Sequence, residues 1–319
     1  MFLSPTGSDV KACTQAAPCR GLQRGFNVAA PGQVVELAAG TYQTQDLTGD
    51  KGNANDVVFR PAAGATVSFS GRLTLEDAKH VTLTDFNLSR NDPYRDLELA
   101  SCNVDVTFVN ATGKRFQIFE GNRDITFQGG DWGGYGATDE EDSGIGTRGS
   151  TGPTTTCAGE SSPQPARNIV FDGVTWHDVF WGVPQSAWGG SHPDCFEING
   201  FVDGLTIRNS SFLRCGDSFF AVYPDQGDTV NILVESNLFQ DLGDYAWYGT
   251  QISGEGKPHK CGNITFRNNT WRPNNPSSLE PYSPLRTDCE ALPGTLATKV
   301  TGNSFQRGPE SWDCSAFRA

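Results

Sequence analysis

Four short stretches near the end of the chain repeat one pattern, and this repeat limits the folds that the sequence can adopt. They read RNSSF, ESNLF, RNNTW and TGNSF, and they end at Phe212, Phe239, Trp271 and Phe305, which lie 27, 32 and 34 residues apart. Each stretch follows a run of β-branched or apolar residues. A motif that returns at intervals of this size is typical of solenoid proteins, in which each repeat stacks on the next.

Strand-like segments of alternating apolar and polar residues fill the region before and between these stretches. Short alternating runs of this kind predict strands, and no long segment with helical periodicity interrupts them. The shortest spacings suit one coil of a solenoid, and the longer ones suit a coil that carries an inserted loop. The sequence therefore predicts a parallel β-helix rather than a β-sandwich. The segments begin at His80, Asp105, Asp124, Asn168, Gly204, Val230 and Gly262.

The polar residue two positions before each terminal aromatic is expected to have a structural role. It is Asn237, Asn269 and Asn303 in three repeats and Ser210 in the fourth. Asn adopts the left-handed backbone conformation more easily than other non-glycine residues, and a tight bend between two strands needs that conformation. We therefore predict that these Asn residues form the bends and bond to one another along the solenoid axis. The terminal aromatics would then stack inside the core.

The N-terminal stretch SPTGSDVKACTQAAPCRGLQRGFNVAAPGQVVELAAGTYQ adds a family resemblance. A short helix is predicted from Leu22 to Ala30, and the segment that follows resembles the first coil of the pectate-lyase-like superfamily. The resemblance implies an all-β, single-domain, right-handed parallel β-helix with a short N-terminal capping helix. Lyases, hydrolases, epimerases and phage tail proteins share this fold, so function has to be argued from the site. The matching residues are Pro31, Gly32, Val35, Leu37, Gly40 and Tyr42.

One parallel β-helix domain is expected to include the whole chain, residues 1–319. Its predicted parts are an N-terminal cap and first coil (about 1–45), coils (46–275) with loop insertions near 133–166 and 181–193, and a C-terminal coil with a disulfide-stapled tail (276–319).

Composition indicates an exported protein. The net charge of −13 argues against nucleic acid as a partner, because phosphates would be repelled. No apolar run approaches the roughly 20 residues that span a membrane, and the start MFLSPTGSD is interpreted as a mature domain whose leader was removed. Nine Cys favour an oxidising compartment, with a loop disulfide between Cys13 and Cys19 and a second bond between Cys289 and Cys314. We expect a secreted monomer with a polysaccharide substrate.

Three Asp residues align in consecutive coils and form the first candidate site. Asp194, Asp217 and Asp244 precede or follow corresponding strands, and adjacent parallel strands lie about 4.8 Å apart. Like charges at this distance are unfavourable unless something offsets them. Three interpretations stay open: the carboxylates bind Ca²⁺, they share a proton for acid–base catalysis, or they cap turns.

The residues around this ladder indicate a sugar-binding groove. Glu197 is predicted to share a face with Phe220 and Trp247, because side chains alternate across a strand. Aromatic side chains along a groove would stack on sugar rings; packing within loops or in the core is the alternative. The candidate substrate-binding residues are Trp181, Trp188, Tyr223, Trp247 and Tyr248.

These observations favour an enzyme that cleaves a uronate-containing polysaccharide by β-elimination. This reaction needs a base for the proton α to the carboxyl group and a cation that neutralises that carboxylate. His192, Tyr248, Lys257, His259 and Lys260 are the candidate bases. A glycoside hydrolase, which needs two carboxylates, and a non-catalytic carbohydrate-binding or cell-surface protein are the alternatives. The predicted catalytic set is His192, Asp194, Glu197, Asp217, Asp244 and Lys260.

Overall fold

The computed structural model describes residues 1–52, 55–88, 95–137, 143–181, 193–241, 250–252, 257–272, 286–287 and 298–305. In chain order the elements are β1 (Phe2–Leu3), α1 (Leu22–Val28), β2 (Val34–Leu37), β3 (Gly40–Tyr42), β4 (Gln45–Gly49), β5 (Val57–Pro61), β6 (Val67–Phe69), β7 (Leu73–Thr84), β8 (Leu97–Leu99), β9 (Val104–Val109), β10 (Thr112–Gly113), β11 (Phe116–Ile118), β12 (Arg123–Gln128), β13 (Asp131–Ala137), β14 (Gly144–Ile145), β15 (Ala166–Asp172), β16 (Thr175–Trp181), β17 (Glu197–Ile198), β18 (Val202–Arg208), β19 (Ser211–Cys215), β20 (Phe220–Val222), β21 (Thr229–Glu235), β22 (Leu238–Gln240), β23 (Thr250–Ile252), β24 (Cys261–Arg267), β25 (Thr270–Arg272), β26 (Arg286–Thr287), β27 (Lys299–Thr301) and β28 (Ser304–Phe305).

These strands form three parallel sheets that run along one axis, and most coils of the described chain give one strand to each sheet. Sheet one contains β1, β2, β5, the second half of β7, β9, β12, β15, β18, β21, β24 and β27. Sheet two contains β10, β13, β16, β19, β22, β25 and β28, with β3 paired to β6 nearer the N-terminus. Sheet three contains β4, the first half of β7, β8, β11, β14, β17, β20, β23 and β26. The prediction of a parallel β-helix is confirmed.

The N-terminal end follows the predicted order of helix and first coil. Helix α1 ends at Val28, two residues before the predicted Ala30, and its Leu22 and Phe26 are buried. The first coil then runs through β2, β3 and β4. Gly40, at the start of β3, has φ of +132°, a conformation that L side chains rarely adopt. The described helix is too short and too polar to span a membrane.

Aromatic side chains stack inside the solenoid, as the repeats predict. Trp176, Phe212, Phe239 and Trp271 are fully buried and occupy one position of four consecutive strands of sheet two. Successive ring centroids are 4.6, 4.9 and 4.8 Å apart, with interplanar angles of 10° to 17°. This spacing follows from the distance between parallel strands. Phe305 continues the row by its backbone pairing with Trp271.

A buried ladder of polar side chains runs beside these rings. It consists of Ser210, Asn237, Asn269 and Asn303. Asn269 Nδ2 donates to Asn303 Oδ1 (3.0 Å) and to the carbonyl oxygen of Val234 (2.9 Å), while Asn269 Oδ1 accepts from the backbone and side-chain nitrogens of Asn237 (both 3.0 Å). Bonding along the axis is therefore confirmed for these coils.

The position of the bend differs from the prediction by one residue. The left-handed conformation falls on Asn209, Ser236, Asn268 and Gly302, with φ between +52° and +64°, and not on the ladder residues. The physical reason is that the ladder residue must project its side chain into the interior to bond to the next coil. The chain therefore turns at the preceding residue.

Replacing Asn269 with leucine is expected to lower the free energy of unfolding by about 3 kcal/mol. The two side chains have similar volumes, but leucine removes the hydrogen bonds that Asn269 makes to the Val234 carbonyl and to the Asn237 backbone N–H, at roughly 1–3 kcal/mol for each unsatisfied group. Urea unfolding measures the change. Gln240→Leu, on the outer side of sheet two, is the control and should stay within about 0.5 kcal/mol of the wild type. Equal losses in the two variants would contradict the ladder's role.

Three disulfides join described residues: Cys13–Cys19, as predicted, Cys102–Cys157 and Cys195–Cys215. Cys261 is disulfide-bonded as well. The predicted bond between Cys289 and Cys314 lies outside the described residues. Several disulfides in one chain favour an oxidising, extracellular location.

Candidate functional site

The outer surface of sheet three carries two aligned rows of residues, and basic side chains from the adjoining loops lie beside them. We call this surface the sheet-three face. Strand pairing aligns the first row, and backbone hydrogen bonds of 2.7–3.0 Å between neighbouring coils align the second. Residues far apart in sequence therefore become neighbours along the axis. The first row is Glu98, Gln117, Gly144, Glu197, Ala221 and Gln251, and the second is Phe119, Gly146, Asn199 and Tyr223.

Glu197 lies near the centre of this face and is half-buried. Its register partners are Gly144 and Ala221, whose side chains are a hydrogen atom and a methyl group. A Cβ atom on Gly144 would lie 2.2 Å from the carbonyl oxygen of Glu197, which only glycine avoids. The backbones therefore pack closely here, and the carboxylate is the long polar group of its part of the row.

Basic side chains lie against aromatic rings at two positions on the sheet-three face. The Arg95 and Arg148 guanidinium carbons lie 5.3 and 5.9 Å from the ring centroid of Phe119. Three coils further along the axis, Lys257 Nζ lies 5.1 Å from the ring centroid of Tyr223. Cations at such distances are attracted to the ring face. The two positions are about 14 Å apart, because each coil adds about 4.8 Å.

Carboxylates orient these cations without burying them. Arg148 pairs with Glu76 at 3.0 Å, Arg95 approaches Glu98 at 4.0 Å, and both arginine side chains keep 35–43% of their surface exposed. Lys257 Nζ lies 2.9 Å from Asp225 Oδ2. At the same position the Tyr223 hydroxyl donates to Gln251 Oε1 at 3.3 Å. The cations can therefore meet an anionic ligand from solvent.

The segment between β14 and β15 is fixed beside the sheet-three face by a buried carboxylate and a disulfide. Glu120 is fully buried and accepts hydrogen bonds from the backbone nitrogens of Arg148, Thr154 and Thr155, at 2.8 to 3.1 Å. The Cys102–Cys157 disulfide ties the same segment to the coil above. Arg148 thus stands on an anchored backbone.

Asp194 and Asp217 of the predicted ladder are backbone neighbours in consecutive coils, but they differ in burial. The Asp217 amide donates to the carbonyl oxygen of Pro193 at 3.0 Å, as it does when Asp194 and Asp217 face each other in a parallel pair, and the register then shifts by one residue before Glu197 pairs with Ala221. Asp194 is fully buried, whereas Asp217 is half-buried. Asp244 lies outside the described residues. The one group of described residues whose ligand atoms are close enough to share an ion contains neither Asp194 nor Asp217, and a calcium role for the three Asp residues stays a prediction.

The prediction that Glu197 and Phe220 share one face of the sheet is wrong. Trp247, the third residue of that predicted face, lies outside the described residues. Phe220 is fully buried, and its ring lies 5.7 Å from that of Phe196 in the core. The neighbour of Glu197 is Ala221, one residue later. The physical reason is the alternation of side chains along a strand, which turns a shift of one residue into a change of face.

The other predicted site residues are divided between described and undescribed parts of the chain. Tyr223 belongs to the sheet-three face, as its predicted role in substrate binding requires. Lys260 is exposed just before β24, and its backbone amide donates to Asp228 Oδ1 at 3.1 Å. Trp181 pairs with Ala137 at the end of β16, but its side chain is not described. His192, Trp188, Trp247 and Tyr248 lie outside the described residues.

Sequence reasoning missed Phe119, Arg95 and Arg148. A signal for Phe119 was present. The segment QIFEG, which begins at Gln117, places an aromatic residue where a strand gives way to a turn, as the segment AVYPD does at Tyr223. The two arginines give no such signal, since both lie outside the strands, before β8 and after β14.

A second polar cluster lies on the outer side of sheet two and links three coils. His177 Nε2 lies 2.6 Å from Asp131 Oδ1, and His177 Nδ1 lies 2.7 Å from Asp178 Oδ2. Arg214 binds both oxygens of Asp178. The hydrogen bond from Arg214 is the main cause that lowers the pKa of Asp178 from 3.8 to about 2, against the opposing effect of burial and with a further contribution from His177.

Replacing Asp178 with asparagine is expected to destabilise the protein in a pH-dependent way. Because the folded-state pKa is lowered, the ionised Asp178 stabilises the fold above pH 3.8, and this contribution is lost as the pH falls towards about 2. The difference in unfolding free energy between wild type and Asp178→Asn should therefore shrink between about pH 5 and pH 2. Glu36→Gln, which breaks the exposed pair with Arg60, should change little. A difference that is constant across this range would contradict the prediction.

Comparisons with known proteins identify similar structures but no similar sequence. No family model and no curated protein matches the chain. Pectate lyase Pel9A is similar with a TM-score of 0.42 and 13% identity over 100% of this chain and 80% of that chain. A rhamnogalacturonan lyase is similar with a TM-score of 0.42 and 11% identity over 95% of this chain and 87% of that chain. The Azotobacter vinelandii mannuronan C-5 epimerase AlgE6 A-module has a TM-score of 0.41 and 14% identity over 96% and 88% of the two chains.

Each of these solved structures shares 14% or less of its sequence with the chain. Polysaccharide lyases and an epimerase are among these structures, and a GH136 lacto-N-biosidase from Eubacterium ramulus is another, with a TM-score of 0.36 and 10% identity over 96% of this chain and 67% of that chain. At these TM-scores and identities the similarity carries no argument about activity, which has to come from the site.

Proposed function

We propose that the protein binds an acidic, uronate-containing polysaccharide along the sheet-three face and cleaves it by β-elimination. The observation that carries this proposal is the placement of Arg95, Arg148 and Lys257 against aromatic rings on one face. The chain as a whole has a net charge of −13. Each of the three cations is paired with a carboxylate but stays partly exposed, so each can also attract an anionic group of a ligand.

The chemistry of elimination explains why cations are needed at this face. A base removes the proton α to the uronate carboxyl group, the electron pair forms a carbon–carbon double bond, and the glycosidic oxygen leaves with the bonding electrons. Negative charge builds up on the carboxylate in the transition state, and a preorganised cation stabilises it. The leaving oxygen then takes a proton. The products are a chain with a new reducing end and a chain that begins with an unsaturated uronate.

Lys257 suits the neutralising role better than the role of base. Its Nζ atom lies 2.9 Å from Asp225 Oδ2 and 5.1 Å from the centroid of the Tyr223 ring, where the ammonium group can approach a sugar carboxylate. Tyr223 and Gln251 at the same position would bind sugar hydroxyl groups. His192 and Tyr248 stay the proposed bases, and Asp194, Asp217, Asp244 and Lys260 stay proposed members of the catalytic set.

Hydrolysis is the second candidate, and the position of Glu197 favours it. Glu197 is a half-buried carboxylate whose register partners are Gly144 and Ala221, and a hydrolase needs a second carboxylate on the other side of the scissile bond. Asp217 is the proposed partner.

Incubation with a panel of uronate polymers and neutral glycans separates these functions. Two signals are followed in parallel: the ultraviolet absorbance of unsaturated uronates and the number of reducing ends. The proposal expects both signals on uronate polymers and neither on neutral glycans. Reducing ends without absorbance would reject elimination in favour of hydrolysis, and binding without either signal would indicate a carbohydrate-binding protein.

A further inference from the structure

We propose that Asp56, His80 and Asp105 form a binding site for a divalent transition-metal ion on the outer side of sheet one. One ligand atom from each of the three side chains lies within 4.8 Å of the others, and His80 Nδ1 lies 2.8 Å from Asp105 Oδ2. All three residues are half-buried. This site is on a different sheet from the sheet-three face and does not depend on the proposed function.

The carboxylates of Asp56 and Asp105 lie closer together than their positions in the solenoid require. Strand pairing gives Asp56, His80 and Asp105 the same position in three consecutive coils. The outer two residues are therefore about 10 Å apart along the axis, at two strand spacings, yet their carboxylate oxygens approach within 4.8 Å. Both acidic side chains lean towards the imidazole between them. Two like charges that converge in this way need a positive charge to offset them.

In other coils, the side chains at this register position form hydrogen bonds to one another without two carboxylates coming together. Asn168 Nδ2 donates to Asp124 Oδ1 at 3.0 Å, and Asn263 Nδ2 donates to Asn231 Oδ1 at 2.6 Å. An amide that bridges neighbouring coils is thus the usual arrangement in this column. His80 replaces the amide with an imidazole, and it is the position where two carboxylates gather around a metal-ligating nitrogen.

The ligand types indicate which ions would bind. One imidazole nitrogen and two carboxylate oxygens suit Zn²⁺ and related transition ions, whereas Ca²⁺ prefers six to eight oxygen ligands. Three protein ligands leave coordination positions for water. The Thr82 hydroxyl donates to Asp56 Oδ2 and holds that carboxylate in place, as partners of metal ligands commonly do.

The His177 cluster does not have this geometry, although it also combines a histidine with two carboxylates. Asp131 and Asp178 approach opposite ring nitrogens of His177, so one ion cannot be bound by one nitrogen and both carboxylates. Arg214 also neutralises Asp178. At His80, in contrast, one ring nitrogen and one oxygen from each carboxylate all lie within 4.8 Å of one another.

Calorimetric titration of metal-free protein with Zn²⁺ near neutral pH, with Ca²⁺ as the comparison ion, tests the proposal. We expect one equivalent of Zn²⁺ to bind, and Ca²⁺ to bind at least tenfold more weakly. His80→Asn should lower the Zn²⁺ affinity at least tenfold, because asparagine keeps the column's usual amide but removes the imidazole. The matched control is His259→Asn, whose Nδ1 lies 3.9 Å from one carboxylate, that of Asp228, and which should bind Zn²⁺ like the wild type.

A second measurement distinguishes a metal site from a cluster in which His80 only hydrogen-bonds to a neighbouring carboxylate. Co²⁺ bound by a nitrogen and carboxylate set gives visible absorption bands, which should appear in the wild type and be lost in His80→Asn and in Asp105→Asn. Absence of saturable binding would overturn the proposal and leave a cluster in which His80 only hydrogen-bonds to its neighbouring carboxylate. One-equivalent binding that is unchanged in both variants would overturn it too, because the ion would then bind elsewhere.

Discussion

Replacing Lys257 with methionine is expected to lower kcat/KM on an acidic polysaccharide roughly 100-fold, the size of effect seen when one group that stabilises transition-state charge is removed. Methionine keeps much of the length of the side chain and its contact with the Tyr223 ring but removes the ammonium group that would neutralise a uronate carboxylate. The loss should appear mainly in kcat, because charge on the carboxylate grows in the transition state. Initial rates from the absorbance of unsaturated products measure it.

Lys51→Met is the matched control for this experiment. Lys51 also lies over an aromatic ring, 4.8 Å from the centroid of Phe26, but at the N-terminal end of the solenoid. The control should keep wild-type kinetics. Equal losses in both variants would point to a general effect of net charge, and an unchanged Lys257→Met would remove Lys257 from the proposed site.

Replacing Trp176 with alanine is expected to lower the free energy of unfolding by about 4 kcal/mol, as for other large aromatic residues in protein cores. Trp176 is fully buried and stacks on Phe212 at 4.6 Å, with Phe171 and Phe196 at its edges. The cavity would interrupt the row of rings in the middle of the solenoid. Chemical denaturation monitored by circular dichroism measures the loss.

Two further variants test whether the loss of ring stacking causes the expected loss of stability in Trp176→Ala. Trp176→Phe should lose much less stability, because it keeps a ring in the row and removes an indole N–H that has no hydrogen-bond partner among the described residues. Phe180→Ala, four residues later and 44% exposed, should stay within about 0.5 kcal/mol of the wild type. A large loss in Phe180→Ala, or a small one in Trp176→Ala, would contradict the described packing.

The fold could be predicted because its signals are local and repeated. Each coil carries the same alternation of apolar residues, so the strands of sheet one were located from sequence alone. The ladder of Asn237, Asn269 and Asn303 followed from one shared position. A second ladder, in which the buried Asn103 donates to Asn122 Oδ1 at 2.8 Å, was missed. It connects coils whose sequences do not share the later motif.

The candidate site was harder to predict because it depends on register across loops of different length. The backbones of Asp194 and Asp217 are adjacent, as their neighbouring residues predicted, but the register shifts by one residue between this pair and the pairing of β17 with β20. That shift exchanged Ala221 for Phe220 as the neighbour of Glu197. The arginines of the sheet-three face lie outside the strands, where the repeat gives no information about position.

A crystal structure of the protein with a bound uronate oligosaccharide tests the central claim most directly. Our account predicts a sugar chain that lies on the outer surface of sheet three, passes Glu197, and brings carboxylate groups within hydrogen-bonding distance of Lys257 or Arg148. An oligosaccharide bound on the outer surface of sheet one or sheet two, with the sheet-three face left to solvent, would contradict it.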